Sequence, residues 1–367
     1  MIRVVHVIPS LRYSGAARQL ALLAARLPPD EFDVRVAALE PGGPLEQPLA
    51  AANVRVDALG RRLTFDPGAL WRLRALLDEF RPQIVHAWEA TAHNYARLAM
   101  GGGGGRRLVA TETRCRSKTG LERWVDHRLI ERTSWMLVNC RALADECARG
   151  GFPRERLAVV PWGVDIPREE PVDRRVELAA FGIPGDARVA GYVGELTRAR
   201  RGRDLVWGIN LLSQLTSRVC FLAIGDGPER ARLEEYARQI ERAEFVRLPG
   251  EGDARRAMRL MSLYWSVGEE ESLSSALLEA MAAGLPAIVS DTPAHRELVR
   301  DGETGIVIDV GDSVGLAQFS DRLLADPDRA RELGAAARGR VRAEFSVEKM
   351  VDTHAELYRS LAREIAG

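Results

Sequence analysis

Short apolar runs alternate with longer amphipathic stretches along this chain. In the first half Ile2–Ile8, Asp33–Ala38, Val54–Ala58, Ile84–His86, Leu108–Thr111, Met136–Asn139 and Leu157–Val160 are rich in branched and apolar residues and predict strands. Ala16–Leu27 and Pro67–Phe80 predict helices between them, the second introduced by Asp66 as N-cap and by proline at the first helical position. Runs apolar on both faces and separated by helices predict parallel sheets covered on both sides. The Pro- and Gly-rich stretch Pro161-Trp162-Gly163-Val164-Asp165-Ile166-Pro167 then reads as a hinge, and the pattern restarts. Further strands are predicted at Arg188–Val193, Cys220–Ile224, Phe245–Leu248, Ser262–Trp265, Ala287–Ser290 and Gly305–Ile308, with helices at Gly202–Leu215, Glu229–Arg242, Ser274–Ala283 and Asp312–Leu324. The C-terminal end is almost wholly helical, with Pro327 separating two helices. The expected division is an N-terminal domain over residues 1–165, a C-terminal domain over 166–345, and a final helical segment over 346–367.

Composition narrows the function. With 46% apolar and 28% charged residues in 367, the chain is an ordinary globular protein of two-domain length. No apolar run is long enough to span a bilayer, and the N-terminus reads as a first strand, not a secretory leader. Four cysteines without a C-x-x-C pair fit free thiols in a reducing cytosol and argue against a zinc site. Formal charge is zero, yet residues 1–165 carry 24 basic and 18 acidic side chains, a net +6. Arg106–Arg132 holds eight of those bases and four acids. That stretch is either a solvated helix face or an attraction for an anionic acceptor or the inner face of a membrane. No arginine-rich tail or interleaved aromatics point to nucleic acid.

The chemistry concentrates in Glu269–Pro286. Here a loop enters a helix capped by Ser272 or Ser274 and ended by Gly284-Leu285-Pro286. The open amides of its first turn, around Ser272, Leu273 and Ser274, and the positive end of its dipole suit a diphosphate. Glu271 in the loop and Glu279 on the helix are eight apart and can face one pocket, one accepting from sugar hydroxyls and the other from a ribose diol. Glu269 and Glu270 are expected only to serve the helix dipole.

This segment resembles the E-x7-E signature of the retaining glycosyltransferases of group 1. Leu278-Glu279-Ala280-Met281-Ala282, Gly284 and Pro286 follow the family text closely. The likeness continues at Ile224-Gly225-Asp226-Gly227-Pro228-Glu229, at Glu297-Leu298-Val299, at Asp301-Gly302, at Thr304-Gly305, and at Val160-Pro161-Trp162-Gly163-Val164-Asp165, where Trp162 replaces an asparagine. Phe345-Ser346 and the helix beyond look like the family's last helix, which crosses back to the first domain. The resemblance implies the GT-B fold, two Rossmann-like doubly wound α/β domains facing a central cleft. It also implies a nucleotide-diphosphate sugar donor, retention at the anomeric carbon, and neither metal nor other cofactor. The acceptor stays open among a glycan, a lipid-linked sugar and a small metabolite, and is expected to be held by the N-terminal domain and brought to the donor by domain closure.

Arg201, before Gly202, matches the family's phosphate-binding lysine, with Arg200 as the alternative. Gly194 opens this loop and Gly225 the next. Glu195 stands where the family has an arginine. Ser14-Gly15-Ala16-Ala17-Arg18 stands where the family often has Gly-Gly-Ala-Glu-Arg. Gly15 lets the backbone approach a ligand at a helix start, while Arg18 either reaches the cleft or lies on the helix face. The family's first-domain histidine is missing from Val109–Arg116. On the acceptor side, His86 is either a cleft residue or a satisfied core histidine, with Glu89 and Asn94 beside it. His127 and His295 are expected on exposed helices. These departures keep open a second reading, a nucleotide-sugar-binding scaffold without catalysis. A nicotinamide-dependent dehydrogenase is disfavoured by the lack of G-x-G-x-x-G after the first strand.

Overall fold

The computed structural model describes residues 1–100, 105–113, 130–167, 173–269 and 272–366. It divides into two compact units. The first comprises Met1–Gly163 with Val347–Gly367, and the second comprises Val164–Ser346.

The first unit is built on seven parallel strands: β1 (Ile2–Ile8), β2 (Phe32–Ala38), β3 (Arg55–Ala58), β4 (Ile84–Trp88), β5 (Arg107–Glu112), β6 (Trp135–Val138) and β7 (Leu157–Val159). Their order is β3-β2-β1-β4-β5-β6-β7. Val4 of β1 pairs with Val34 on one side and Ile84 on the other. Because β1 is central, Val4, Val5 and Val7 are all fully buried. This is why apolar residues stand at consecutive positions, Val4-Val5 and Val7-Ile8, and not at every second one. The predicted cap is present: Asp66 accepts from the amides of Gly68 and Ala69 and opens helix Pro67–Phe80.

One face of this sheet is closed by the last helix, Val347–Ala366. Val347, Met350, Val351, Ala355, Tyr358 and Leu361, spaced by three or four, make its apolar stripe and join the core of β1, β4 and helix Gly15–Ala24. A buried polar cluster lies under that stripe. His6, His86 and His354 are all buried; His86 bonds the Tyr358 hydroxyl through Nδ1 and Thr111 through Nε2, and Trp88 donates to His6. Gln19 bonds both the amide and the carbonyl of Gly163, each at 3.0 Å, and so pins the end of the unit's first segment.

The second unit has six parallel strands: β8 (Arg188–Val193), β9 (Val219–Ile224), β10 (Val246–Gly250), β11 (Leu263–Ser266), β12 (Ala287–Ser290) and β13 (Ile306–Ile308). The order is β10-β9-β8-β11-β12-β13. Trp265, stacked on Phe221 at 5.6 Å, centres its core with Leu205, Ile209 and Leu316. In both sheets the strand order reverses once, between β1 and β4 and between β8 and β11. Connections on the two sides of such a reversal leave in opposite directions, which opens a crevice at the carboxyl edge. Among the described residues no helix is long and apolar enough to cross a membrane.

Candidate functional site

At the reversal point of the second sheet, β8 and β11 end at Val193 and Ser266. The loops that follow them carry the expected donor-side residues. The β8 loop begins at Gly194, whose φ is +152°, and lies against Gly225, whose φ is +140°. A Cβ on Gly225 would fall 2.1 Å from the Gly194 carbonyl oxygen, so both the contact and the backbone angle require glycine. Further amides tie the loops together: Gly194 donates to Ile224, Leu196 to Asp226 and Glu269 to Ala199.

Arg201 caps helix Gly202–Leu215 in the left-handed conformation, with φ +53°. This conformation costs a non-glycine residue of order 1–3 kcal/mol. The guanidinium is held by two carboxylates, Asp204 in the next turn and Glu269 at 2.7 Å from the neighbouring loop. Glu269 is therefore more than a helix-dipole residue, which corrects the expectation from sequence. Opposite charges on loops after two adjacent switch-point strands were the available signal. Arg200 is half-buried and close enough to Tyr192, Tyr264 and His295 to act on their titration. Burial pushes the Tyr192 phenol up to about 12 and raises that of Tyr264, so both are neutral donors. Their hydroxyls donate to the carbonyls of Glu195 and Val193. Glu195 itself is exposed.

Of the two candidate caps, Ser274 takes the role: its Oγ accepts from Leu277 at 3.3 Å and opens helix Ser275–Ala282. Ser272 is half-buried beside it and Leu273 is buried. Glu279, in the middle of that helix, is 8% exposed. Glu270 and Glu271 lie outside the described residues. The same is true of residues 114–129, which take in His127 and most of the basic stretch.

In the first unit, Ser14 caps helix Gly15–Ala24 through the Ala17 amide at 3.1 Å, with Gly15 at its first position and Arg18 half-buried one turn on. His86 is fully buried between Tyr358 and Thr111, so it takes the core reading. Glu89 follows β4 directly and opens helix Glu89–Ala99 with φ +66°, while Asn94 is exposed. A strained carboxylate at the first sheet's reversal point is the kind of position retained for function. His295 corrects the sequence expectation: it is 1% exposed, not on an open helix face. Among the described residues no three His, Cys, Asp or Glu side chains group as a metal site.

Residues 173–340 match the family model described as glycosyl transferases group 1, and residues 13–168 match glycosyltransferase family 4. The chain is 28% identical to the lipopolysaccharide core biosynthesis mannosyltransferase LpcC of Rhizobium leguminosarum bv. viciae, over 84% of this chain and 88% of that one. It is also 28% identical to the N-acetyl-alpha-D-glucosaminyl L-malate synthase of Bacillus anthracis, in a match spanning 50% of this chain and only 48% of the relative. In fold it is similar to Anabaena Alr3699/HepE, solved in complex with UDP and glucose, with a TM-score of 0.86 and 19% identity, covering 98% of this chain and 100% of that one. The chain belongs to the glycosyltransferases of group 1 and has their GT-B fold of two Rossmann-like α/β domains.

Proposed function

We propose that this glycosyltransferase moves a sugar, with retention, from a nucleotide-diphosphate sugar to a hydroxyl of a glycan, a glycolipid or a small metabolite. The observation that carries the reading is the meeting of three features at one switch point. They are a glycine-lined loop, an arginine at a helix start, and a helix N-terminus capped by Ser274. In this reading Arg201 and the first-turn amides hold the diphosphate, and Glu279 receives the ribose diol. Glu271, eight residues before Glu279, receives the sugar hydroxyls.

The leaving diphosphate gains negative charge as the glycosidic bond breaks, so a preplaced guanidinium stabilises the transition state more than the ground state. No metal is needed for that step when arginine and helix amides supply the positive field. Arg201 is already oriented by Asp204 and Glu269, and binding exchanges part of that pairing for phosphate oxygens. The HepE complex with UDP and glucose makes UDP-glucose the first donor to try.

The test is titration and slow hydrolysis across UDP-, GDP- and ADP-sugars with wild type, Glu279→Ala and Arg201→Ala. One donor should bind selectively and be hydrolysed slowly, and both substitutions should weaken it. Binding that survives both substitutions would remove the proposed site.

A further inference from the structure

The carboxyl edge of the second sheet holds a buried histidine that the donor reading does not use. His295 lies in the short helix Pro293–Leu298, entered through Thr292, whose hydroxyl accepts from the His295 amide. Its Nδ1 is 2.9 Å from the carbonyl oxygen of Ser290, at the end of β12, and 3.2 Å from the Ser290 hydroxyl. Its Nε2 is 3.1 Å from the hydroxyl of Ser266, at the end of β11. A carbonyl can only accept, so Nδ1 carries the proton and Nε2 accepts from Ser266. Burial holds the ring's pKa down at about 4, so it is a neutral, fixed tautomer at physiological pH.

From this ring a chain of bonds leads to the diphosphate loop. The Ser290 hydroxyl donates to the Gly268 carbonyl at 2.7 Å. The next residue, Glu269, donates its amide to Ala199 at 3.0 Å and accepts from Arg201 at 2.7 Å. Ser266, Ser290 and His295 are all buried, whereas the Glu269 side chain is largely exposed. The network thus runs from the sheet's interior to a surface carboxylate. An apolar side chain would fill the volume of His295, but it would take the Nε2 acceptor from the Ser266 hydroxyl and the Nδ1–H donor from the Ser290 hydroxyl. A satisfied buried network specifies one geometry where packing alone would allow several.

We propose that His295 is a positioning residue for donor binding: it fixes Ser290 and Ser266, Ser290 holds Gly268–Glu269, and Glu269 sets the guanidinium of Arg201. This rests on the reading that Arg201 meets the diphosphate, so the experiment separates the two.

The probe is whichever of UDP, GDP and ADP the wild type binds most tightly, titrated calorimetrically into wild type, His295→Leu, Arg201→Ala and the double variant. One lost buried hydrogen bond predicts about tenfold weaker binding for His295→Leu. In the Arg201→Ala background the same change should alter affinity by less than about twofold, because coupled residues are not additive. His295→Asn keeps an N–H donor near the Nδ1 position and should recover most of the affinity. A purely structural role would lower the fraction of active protein without changing the dissociation constant. Equal losses in both backgrounds, or wild-type affinity in His295→Leu while Arg201→Ala is impaired, would overturn the proposal. Undiminished binding in Arg201→Ala would overturn the reading of Arg201 and the proposal with it. Should His295→Leu fail to fold, Ser290→Ala cuts the bond to Gly268, leaves the imidazole in place, and must show the same coupling to Arg201.

Discussion

Acidification should destabilise the first unit through the imidazoles beneath its last helix. His6 and His354 are buried, and burial is the main cause that lowers their pKa values to about 3 and about 4; for His6 the nearby His354 adds to it. His86 is lowered well below its ordinary value by burial first and then by the charges of His6, His354 and His93. A histidine whose folded pKa is depressed refuses a proton that the unfolded chain takes up near pH 6.5. Stability is therefore full above that pH and falls as the pH drops toward the folded values. Between pH 7 and pH 5 each such imidazole costs about 2 kcal/mol, at roughly 1.4 kcal/mol per unit of pKa difference traversed. His6 and His354 together make that about 4 kcal/mol, and His86 acts in the same direction. Total stabilities of about 5–15 kcal/mol make this a visible loss. The assay is urea unfolding at pH 7, 6 and 5, for wild type and for His354→Leu. The variant should lose about 1.2 kcal/mol less than wild type between pH 6 and pH 5, because one proton fewer is taken up on unfolding. A wild-type stability that is flat over this range, or equal pH slopes in the two proteins, would refute the assignment of neutral buried imidazoles.

Three further outcomes are expected. Arg201→Ala removes a charge-assisted contact and should weaken nucleoside diphosphate binding by about tenfold to a hundredfold, with Arg201→Lys intermediate, as read by calorimetry. Gly225→Ala drives a Cβ toward the Gly194 carbonyl at a positive φ; it should lower the melting temperature and abolish donor binding together. Ser274→Ala removes the cap on Leu277 and should cost about 1 kcal/mol in urea unfolding, with weaker diphosphate binding; unchanged affinity would show that the first turn is not in the site.

Local pattern determined the elements and the fold class. Ile2–Ile8, Arg188–Val193 and Ala287–Ser290 occur as strands over the residues their composition predicts. A run apolar on both faces can satisfy its backbone and side chains together only inside a covered parallel sheet. Asp66 and Pro67 set a helix start through the amides of Gly68 and Ala69, two and three residues on, so the signal is legible in the local sequence. Helix Ser275–Ala282 lies within the Ser274–Ala283 stretch that the local pattern predicts as helical, and Gly284 follows it with φ +77°.

Only the tertiary structure decided what the polar side chains near that loop touch. Ser272 and Ser274 are equal as caps on paper, and in the fold it is Ser274, with extended backbone, whose hydroxyl takes the Leu277 amide. His295, flanked by Arg296 and Glu297, reads as exposed, yet Thr292 and Pro293 turn its helix onto the sheet edge, where Ser266 and Ser290 meet both ring nitrogens. Glu269 and Arg201 are 68 residues apart and pair because β8 and β11 are neighbours. Hydrophobic periodicity records which face of an element is buried. It does not record which loops the sheet order brings side by side, and the partners of charged and polar groups are set there.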